Sequence, residues 1–389
     1  MSVQYRTYKL AKILNIHKHV DPWFWDKYSA HPYLGCKHGC EYWYNREKKY
    51  CPYDKPEDYS RIIIIKDNAA ERLRAELSKV PKDVMAVGDY QPIEAKTKLS
   101  RKMLQVCLDL ESPVYILEKS DLVLRDIDLI EKINEKSWAC VTFSIITTKD
   151  DEIRRLFEPK APPVSRRFKA LREFSNKGIL SGVAFMPILP FIYDNDDNLE
   201  AVVKATAENG GKFVLAGGLT LASPQKEWYY AVLGKHFPEL IPKYEKLYAG
   251  NYDPDCEYAG QIGKKVASLC QKFGIKDRMP RYIPKGKLAI NKQISERLHN
   301  KAYRLDLDCA QKYKIWACRK AAWTIDELQQ SISDIYARKG RQGLEGIESI
   351  GKSLSKEIEL ELKELKGLQE PLTSEPVNLC CPAPVSSHR

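Results

Sequence analysis

The sequence predicts an α/β fold, a parallel sheet covered by helices, followed by a basic all-helical C-terminal part. Three observations predict it. Between about residues 61 and 217, short β-rich runs alternate with amphipathic helical patterns, the order that builds parallel sheets. Hydrophobic residues make up 43% of the 389, enough to bury a sizeable core. Residues 276–323 hold 13 Lys and Arg against 4 Asp and Glu, in a chain whose formal charge is +11.

The elements follow in order. Residues 1–60 read as an irregular, aromatic and Pro-containing segment that carries a cysteine loop. The β-rich runs are 84–87, 114–117, 139–146, 179–186 and 212–216. Helical patterns fall at 68–79, 99–110, 127–136, 164–176 and 199–209. Asp67 or Asn68 can cap the first helix, and Gly178 suits the left-handed position after the fourth. A parallel sheet presents function at the carboxyl ends of its strands, which makes Gly88, Asp89, Glu118, Lys119, Ser144, Thr147 and Pro187 candidates. After Tyr230 the pattern turns helical and basic. Thr324, with Glu327 three residues on, predicts a capping box opening a helix over 324–338. Further helical stretches are 344–347 and 354–365, and the Pro- and Ser-rich tail after Gly367, with Cys380 and Cys381, reads as disordered. The organisation expected is therefore 1–60, a barrel core 61–250, a basic extension 251–323, a hairpin 324–367 and a tail 368–389.

Composition excludes some classes. The longest aliphatic run, 62–65, is far short of the ~20 residues a membrane helix needs. The first ten residues lack a signal peptide's apolar stretch, so a cytoplasmic protein without membrane attachment is expected. Eleven irregularly spaced cysteines argue against a disulfide framework. Cys107, Cys140, Cys270, Cys309 and Cys318 read as reduced core residues. The basic stretch interleaves Tyr282, Tyr303, Tyr313, Trp316 and Trp323, a composition that can neutralise phosphates and stack bases.

The loop His31-Pro-Tyr-Leu-Gly-Cys36-Lys-His-Gly-Cys40-Glu-Tyr-Trp43-Tyr-Asn-Arg46 is the most informative segment. Two thiols four residues apart can face one metal centre. Zinc would want two further ligands from His31, His38 or Cys51, but the spacings match no common zinc pattern. The loop resembles the radical S-adenosylmethionine (radical SAM) signature Cys-x3-Cys-x2-Cys in the form used by spore-photoproduct-lyase-like proteins. Cys36 and Cys40 match its first two cysteines, and Trp43 stands where the third belongs. Tyr90-Gln-Pro-Ile-Glu94, Lys119-Ser-Asp-Leu-Val-Leu-Arg-Asp126, the stretch from Ser144 to Glu158-Pro159, and Pro187-Ile-Leu-Pro190 followed by Asp194 resemble further motifs of that family, in register. The resemblance covers roughly residues 20–320.

The resemblance implies a partial (β/α)6 radical SAM barrel. It implies a [4Fe-4S] cluster on three cysteines, S-adenosyl-L-methionine (SAM) on the fourth iron, an electron donor such as flavodoxin or ferredoxin, and nucleic acid, DNA foremost, as the material acted on. Lys119 and Ser144 would contact SAM, and Gly88 would let it approach the backbone. Indole cannot ligate iron. Cys51 is the available substitute, closing a loop of about ten residues at modest entropic cost. Three readings stand: an enzyme using Cys51, a degenerate scaffold that no longer cleaves SAM, and a single changed position in an otherwise active family. The lyase's hydrogen-donor cysteine has no counterpart, since no cysteine lies between Cys51 and Cys107, so a relative of the lyase rather than that lyase itself is implied, with its substrate left open.

Residues 344–358 resemble a helix-hairpin-helix, whose turn and following helix meet a phosphate. Ile350, Gly351, Lys352 and Ser353 would make that contact, with Ser349 in place of the first turn glycine. With the preceding helix over 326–338, the segment resembles the small helical domain of family X DNA polymerases.

Overall fold

The computed structural model describes residues 3–367; the tail with Cys380 and Cys381 lies outside the described residues. The described residues form two compact units, one of residues 3–283 with His299–Ile315, the other of Pro284–Leu298 with residues 316–367.

Among the described residues the first unit contains ten strands: β1 Gln4–Tyr8, β2 Asn15–Ile16, β3 Tyr28–Ala30, β4 Tyr33–Leu34, β5 Ile62–Lys66, β6 Met85–Val87, β7 Val114–Glu118, β8 Ala139–Ser144, β9 Leu180–Ile188 and β10 Val214–Gly218. Among the described residues the α-helices are α1 Ala69–Leu77, α2 Glu94–Thr97, α3 Leu99–Asp109, α4 Ile127–Lys136, α5 Glu152–Phe157, α6 Val164–Asn176, α7 Asp196–Glu208, α8 Gln225–His236, α9 Ile241–Tyr248, α10 Cys256–Lys272, α11 Ala289–Leu307, α12 Lys312–Glu327, α13 Ile332–Glu345 and α14 Lys352–Gly367. The main sheet runs β10-β9-β8-β7-β6-β3-β2. Its pairings are parallel from β3 through β10, and only β2 is antiparallel, on the β3 edge. Six parallel strands with helical crossovers make the expected partial (β/α)6 arrangement.

The helices cover the sheet because their apolar positions recur every three or four residues. Leu73 and Leu77 of α1, and Val164, Phe168, Leu171 and Phe174 of α6, are buried in one core with Val141, Phe143, Val183 and Phe185 of the strands. Gly178, at φ +70°, closes α6 as its pattern predicts: its amide donates to Ser175 O, and the Ile179 amide donates to Phe174 O.

Four expectations need correction. Residues 1–60 are not irregular: β3 from that segment is the first parallel strand of the sheet, and β1-β5-β4 form a second, three-stranded sheet. Asn68 does not cap α1. Its side chain accepts from the Leu10 amide at 2.9 Å and donates to Leu10 O at 3.0 Å, tying down the N-terminal chain. Cys309 is not a core thiol; it is exposed and bonded to Cys256, with Cα atoms 5.9 Å apart. Thr324 does not open a helix. It lies inside α12, whose apolar face continues through Ala321, Ala322 and Ile325.

In the second unit, Asn291 decides where α13 begins. Its Oδ1 accepts from the Ile332 amide at 2.8 Å, and its Nδ2 donates to Gln330 O at 2.9 Å. One buried side chain thus satisfies the helix start that a sequence-local cap would otherwise serve. Ser349, at φ +65°, takes the left-handed conformation before α14, Ile350 is buried, and Lys352 and Ser353 are exposed at the helix start.

Candidate functional site

The carboxyl ends of β6, β7 and β8 converge with the cysteine loop. Leu117 is 40% exposed although its strand is flanked on both sides, so the inner wall faces an open lumen. Lys119 leaves the end of β7 and its ammonium donates to the hydroxyl of Ser144 at the end of β8. The same ammonium lies 3.6 Å from Glu158 Oε1 and 5.5 Å from the centre of the Tyr42 ring. Glu158 is wholly buried and also accepts from Tyr42 Oη and from Arg167. Burial pushes its carboxyl up, but Arg167 and Lys119 outweigh burial and hold it near 2. Arg167 further donates to Ser144 O at 2.9 Å. The result is a fixed cationic position beside a hydroxyl, suited to a carboxylate ligand.

Gly88 (φ +141°) and Asp89 (φ +128°) form a strained turn after β6. Glu118 holds it, its Oε1 accepting from the amides of Asp89 at 2.7 Å and Tyr90 at 3.0 Å. A Cβ at position 88 would stand 3.2 Å from that same oxygen, so glycine is needed for packing as well as for φ. Burial raises Glu118 to about 7, opposed by those amides.

The cysteine loop is anchored from both sides. Cys36 N donates to Tyr59 O at 2.9 Å. Gln91 Nε2 donates to Gly35 O at 2.9 Å, and Lys37 N donates to Gln91 Oε1 at 3.0 Å. Gly35 (φ +84°) has no room for a side chain, since a Cβ would lie 2.5 Å from Ile62 O. Arg46 is buried over the Trp228 ring at 4.7 Å and donates to Cys40 O at 3.4 Å. The remaining motif residues serve a buried network below the loop. Glu94 takes Arg125 at 2.6 Å and the hydroxyl of Tyr33, while Asp126 takes Tyr90 Oη at 2.9 Å and Arg101 at 3.0 Å. Sequence reasoning missed Tyr42, Glu158 and Arg167 as a unit; only their contact in the fold marks them.

Cys36 and Cys40 are both buried, and burial raises both thiols, Cys40 to about 11. Each perceives a neighbouring charge: Cys40 adds to the rise at Cys36, and Lys119 opposes the rise at Cys40. Cys51 is buried in an apolar pocket with Cys36 and Tyr59, and Trp43 packs against that pocket. The indole meets Tyr59 edge-on at 5.4 Å. Among the described residues no three His, Cys, Asp or Glu side chains gather as a metal site. His38 is buried within the loop, lowered to about 4 by burial and by Lys119 and Arg167, whereas His31 is exposed. The donor set as folded supplies two thiols and an indole, and does not fit a three-thiolate [4Fe-4S] cluster.

A parallel six-stranded partial barrel with functional groups at its carboxyl-end mouth is the fold of the radical SAM enzymes, and this chain has it. One solved structure it is similar to is spore photoproduct lyase: in a doubly substituted form with bound AdoMet and dinucleoside spore photoproduct, TM-score 0.52 at 14% identity over 69% of this chain and 78% of that one. A singly substituted form of the lyase, with dinucleoside spore photoproduct, gives 0.51 at 15% over 69% and 78%. An uncharacterized protein of Mycobacterium tuberculosis is 27% identical over 255 residues, 64% of this chain and 74% of that protein. An uncharacterized protein of Methanocaldococcus jannaschii is 31% identical over 169 residues, 43% of this chain and 62% of that protein. No protein-family profile matches the chain. Among the described residues no helix is long and apolar enough to cross a membrane.

Proposed function

We propose that the barrel mouth binds SAM and that the chain, a spore-photoproduct-lyase-like relative within the radical SAM superfamily, works on nucleic acid. The observation that carries the reading is the Lys119–Ser144 pair at neighbouring strand ends. Lys119 would take the methionyl carboxylate, Ser144 would share it, and the Gly88 turn would lie under the nucleoside. Glu158 and Arg167 hold Lys119 charged and aimed, so the ligand meets a preorganised cation. The turn Ile350-Gly351-Lys352-Ser353, buried at Ile350 and exposed from Gly351 on, would contribute a phosphate contact.

A second reading has a specific observation in its favour. Cys51 shares a pocket with Cys36, with Trp43 packed against it. Displacement of the indole would let Cys51 join Cys36 and Cys40 as third ligand of a [4Fe-4S] cluster, which would supply the electron for SAM cleavage when reduced by a flavodoxin or ferredoxin. Anaerobic reconstitution followed by iron analysis, with SAM binding measured by calorimetry on the same sample, tests both. About four irons per chain supports the enzyme; SAM binding without iron supports the non-cleaving scaffold; neither rejects the proposal.

A further inference from the structure

The stretch between Cys40 and Cys51 carries more than the metal question. Tyr44 is 47% exposed and Tyr50 41%, and their rings meet edge-on at 5.3 Å. Tyr252, 45% exposed, joins them from a different part of the chain, its hydroxyl donating to Glu47 Oε1 at 3.2 Å. Lys48 and Lys49 are exposed between them, and the Lys49 ammonium sits 4.9 Å from the Tyr50 ring centre. The backbone under this patch is stiff. Tyr50 N and Cys51 N both donate to Glu47 O, Lys48 N donates to Ser223 O, and Leu221 N donates to Tyr252 O. The rings are therefore held open to solvent by this framework, those of Tyr44 and Tyr50 on the same loop as the candidate thiols.

We propose that Tyr44, Tyr50 and Tyr252, with Lys48 and Lys49, form a landing surface at the barrel mouth for an unpaired stretch of nucleic acid. The proposal rests on the nucleic-acid part of the proposed function and names its substrate class. Tyrosine faces stack bases of any identity. Paired bases keep their faces inside the duplex and cannot use the rings. Two lysines neutralise few phosphates, whereas phosphate-driven duplex binding draws on roughly 6–10 contacts. Stacking therefore dominates here, and stacking selects single strands. In the basic stretch 276–323, Tyr282 packs on Trp138 at 5.7 Å and Tyr303 on Trp23 at 5.8 Å, while Tyr313 and Trp316 are exposed but lie away from the cysteine loop in sequence.

Fluorescence anisotropy on the full chain tests it, with a labelled oligothymidylate of about twelve nucleotides, its oligouridylate counterpart and a duplex of the same length. The single strands bind more tightly than the duplex. Tyr44→Ala with Tyr50→Ala weakens single-strand binding at least about 30-fold, while Tyr44→Phe with Tyr50→Phe keeps it. Lys48→Gln with Lys49→Gln reduces the salt slope by about 1.4, a readout available even if the alanine pair fails to fold. Single-strand binding unchanged in both the alanine and the glutamine pairs, or duplex binding as tight as single-strand binding, overturns the surface. SAM calorimetry separates the two ideas: a chain that binds the oligonucleotide through the tyrosines but not SAM keeps this surface and loses the SAM reading. A chain that binds SAM but no oligonucleotide loses this surface.

Discussion

Lys119 and Ser144, 25 residues apart in sequence, are hydrogen-bonded across the ends of neighbouring strands at the barrel mouth. Both are otherwise supported from beneath, Lys119 by Glu158 and Ser144 through its carbonyl by Arg167. Lys119→Met is expected to weaken SAM binding at least about tenfold, the worth of one charge-assisted hydrogen bond, and Ser144→Ala somewhat less. Equilibrium dialysis with labelled SAM reads this. The fold survives Lys119→Met, because Arg167 still pairs Glu158, and an unaltered affinity would move the SAM site elsewhere.

Trp43 decides the metal question. An indole fills far more volume than a thiol and here packs on Tyr59. Trp43→Cys is expected to gain about four irons per chain on reconstitution, because Gln91, Gly35 and Arg46 already hold the loop that carries Cys36 and Cys40. Cys51→Ala in the native background is the companion. Loss of iron from a protein that held it identifies Cys51 as third ligand. A well-folded Trp43→Cys protein that still takes no iron shows that the loop has lost more than one ligand.

Stability should carry a pH dependence from Asp26. Its carboxyl is 4% exposed, and burial, with Asp21 and Asp83 adding, raises it to about 8; His17 Nδ1 lies 3.3 Å away. The folded value exceeds the unfolded one, so the fold favours the protonated acid. That contribution is complete below the unfolded value of about 4 and is lost as pH rises through about 8. Asp26→Asn is therefore expected to match the native melting temperature at acid pH and exceed it above pH 8. Parallel melting curves for the two proteins at all pH values would refute the assignment.

The bond between Cys256 and Cys309 closes a loop of 53 residues. Constraining the unfolded chain over that length stabilises by up to about 4 kcal/mol. Reduction, or Cys309→Ser, is expected to lower the melting temperature by several degrees, with thiol titration rising by two groups on reduction. Equal melting curves with and without reductant would mean the pair contributes nothing.

The β/α order, the lengths of its main elements and the Gly178 helix end were legible because each is written in residues three or four apart, where periodicity speaks directly. The motifs were legible too, though not the work they do: Gln91 clamps the cysteine loop, and Arg125 and Asp126 knit Glu94 and Tyr90 into one buried network. Tertiary structure alone decided the rest. Strand β3 is three residues long, too short for a period, and exists because β6 pairs with it. Asn68 is spent on Leu10, 58 residues away, and α13 starts where Asn291, 41 residues earlier, reaches the Ile332 amide. Cys309 met Cys256 because α10 and the turn after α11 bring them together. Each of these depends on a partner brought close by the folded chain, and a hydrogen bond or a disulfide is specified by distance in space, which local sequence does not contain.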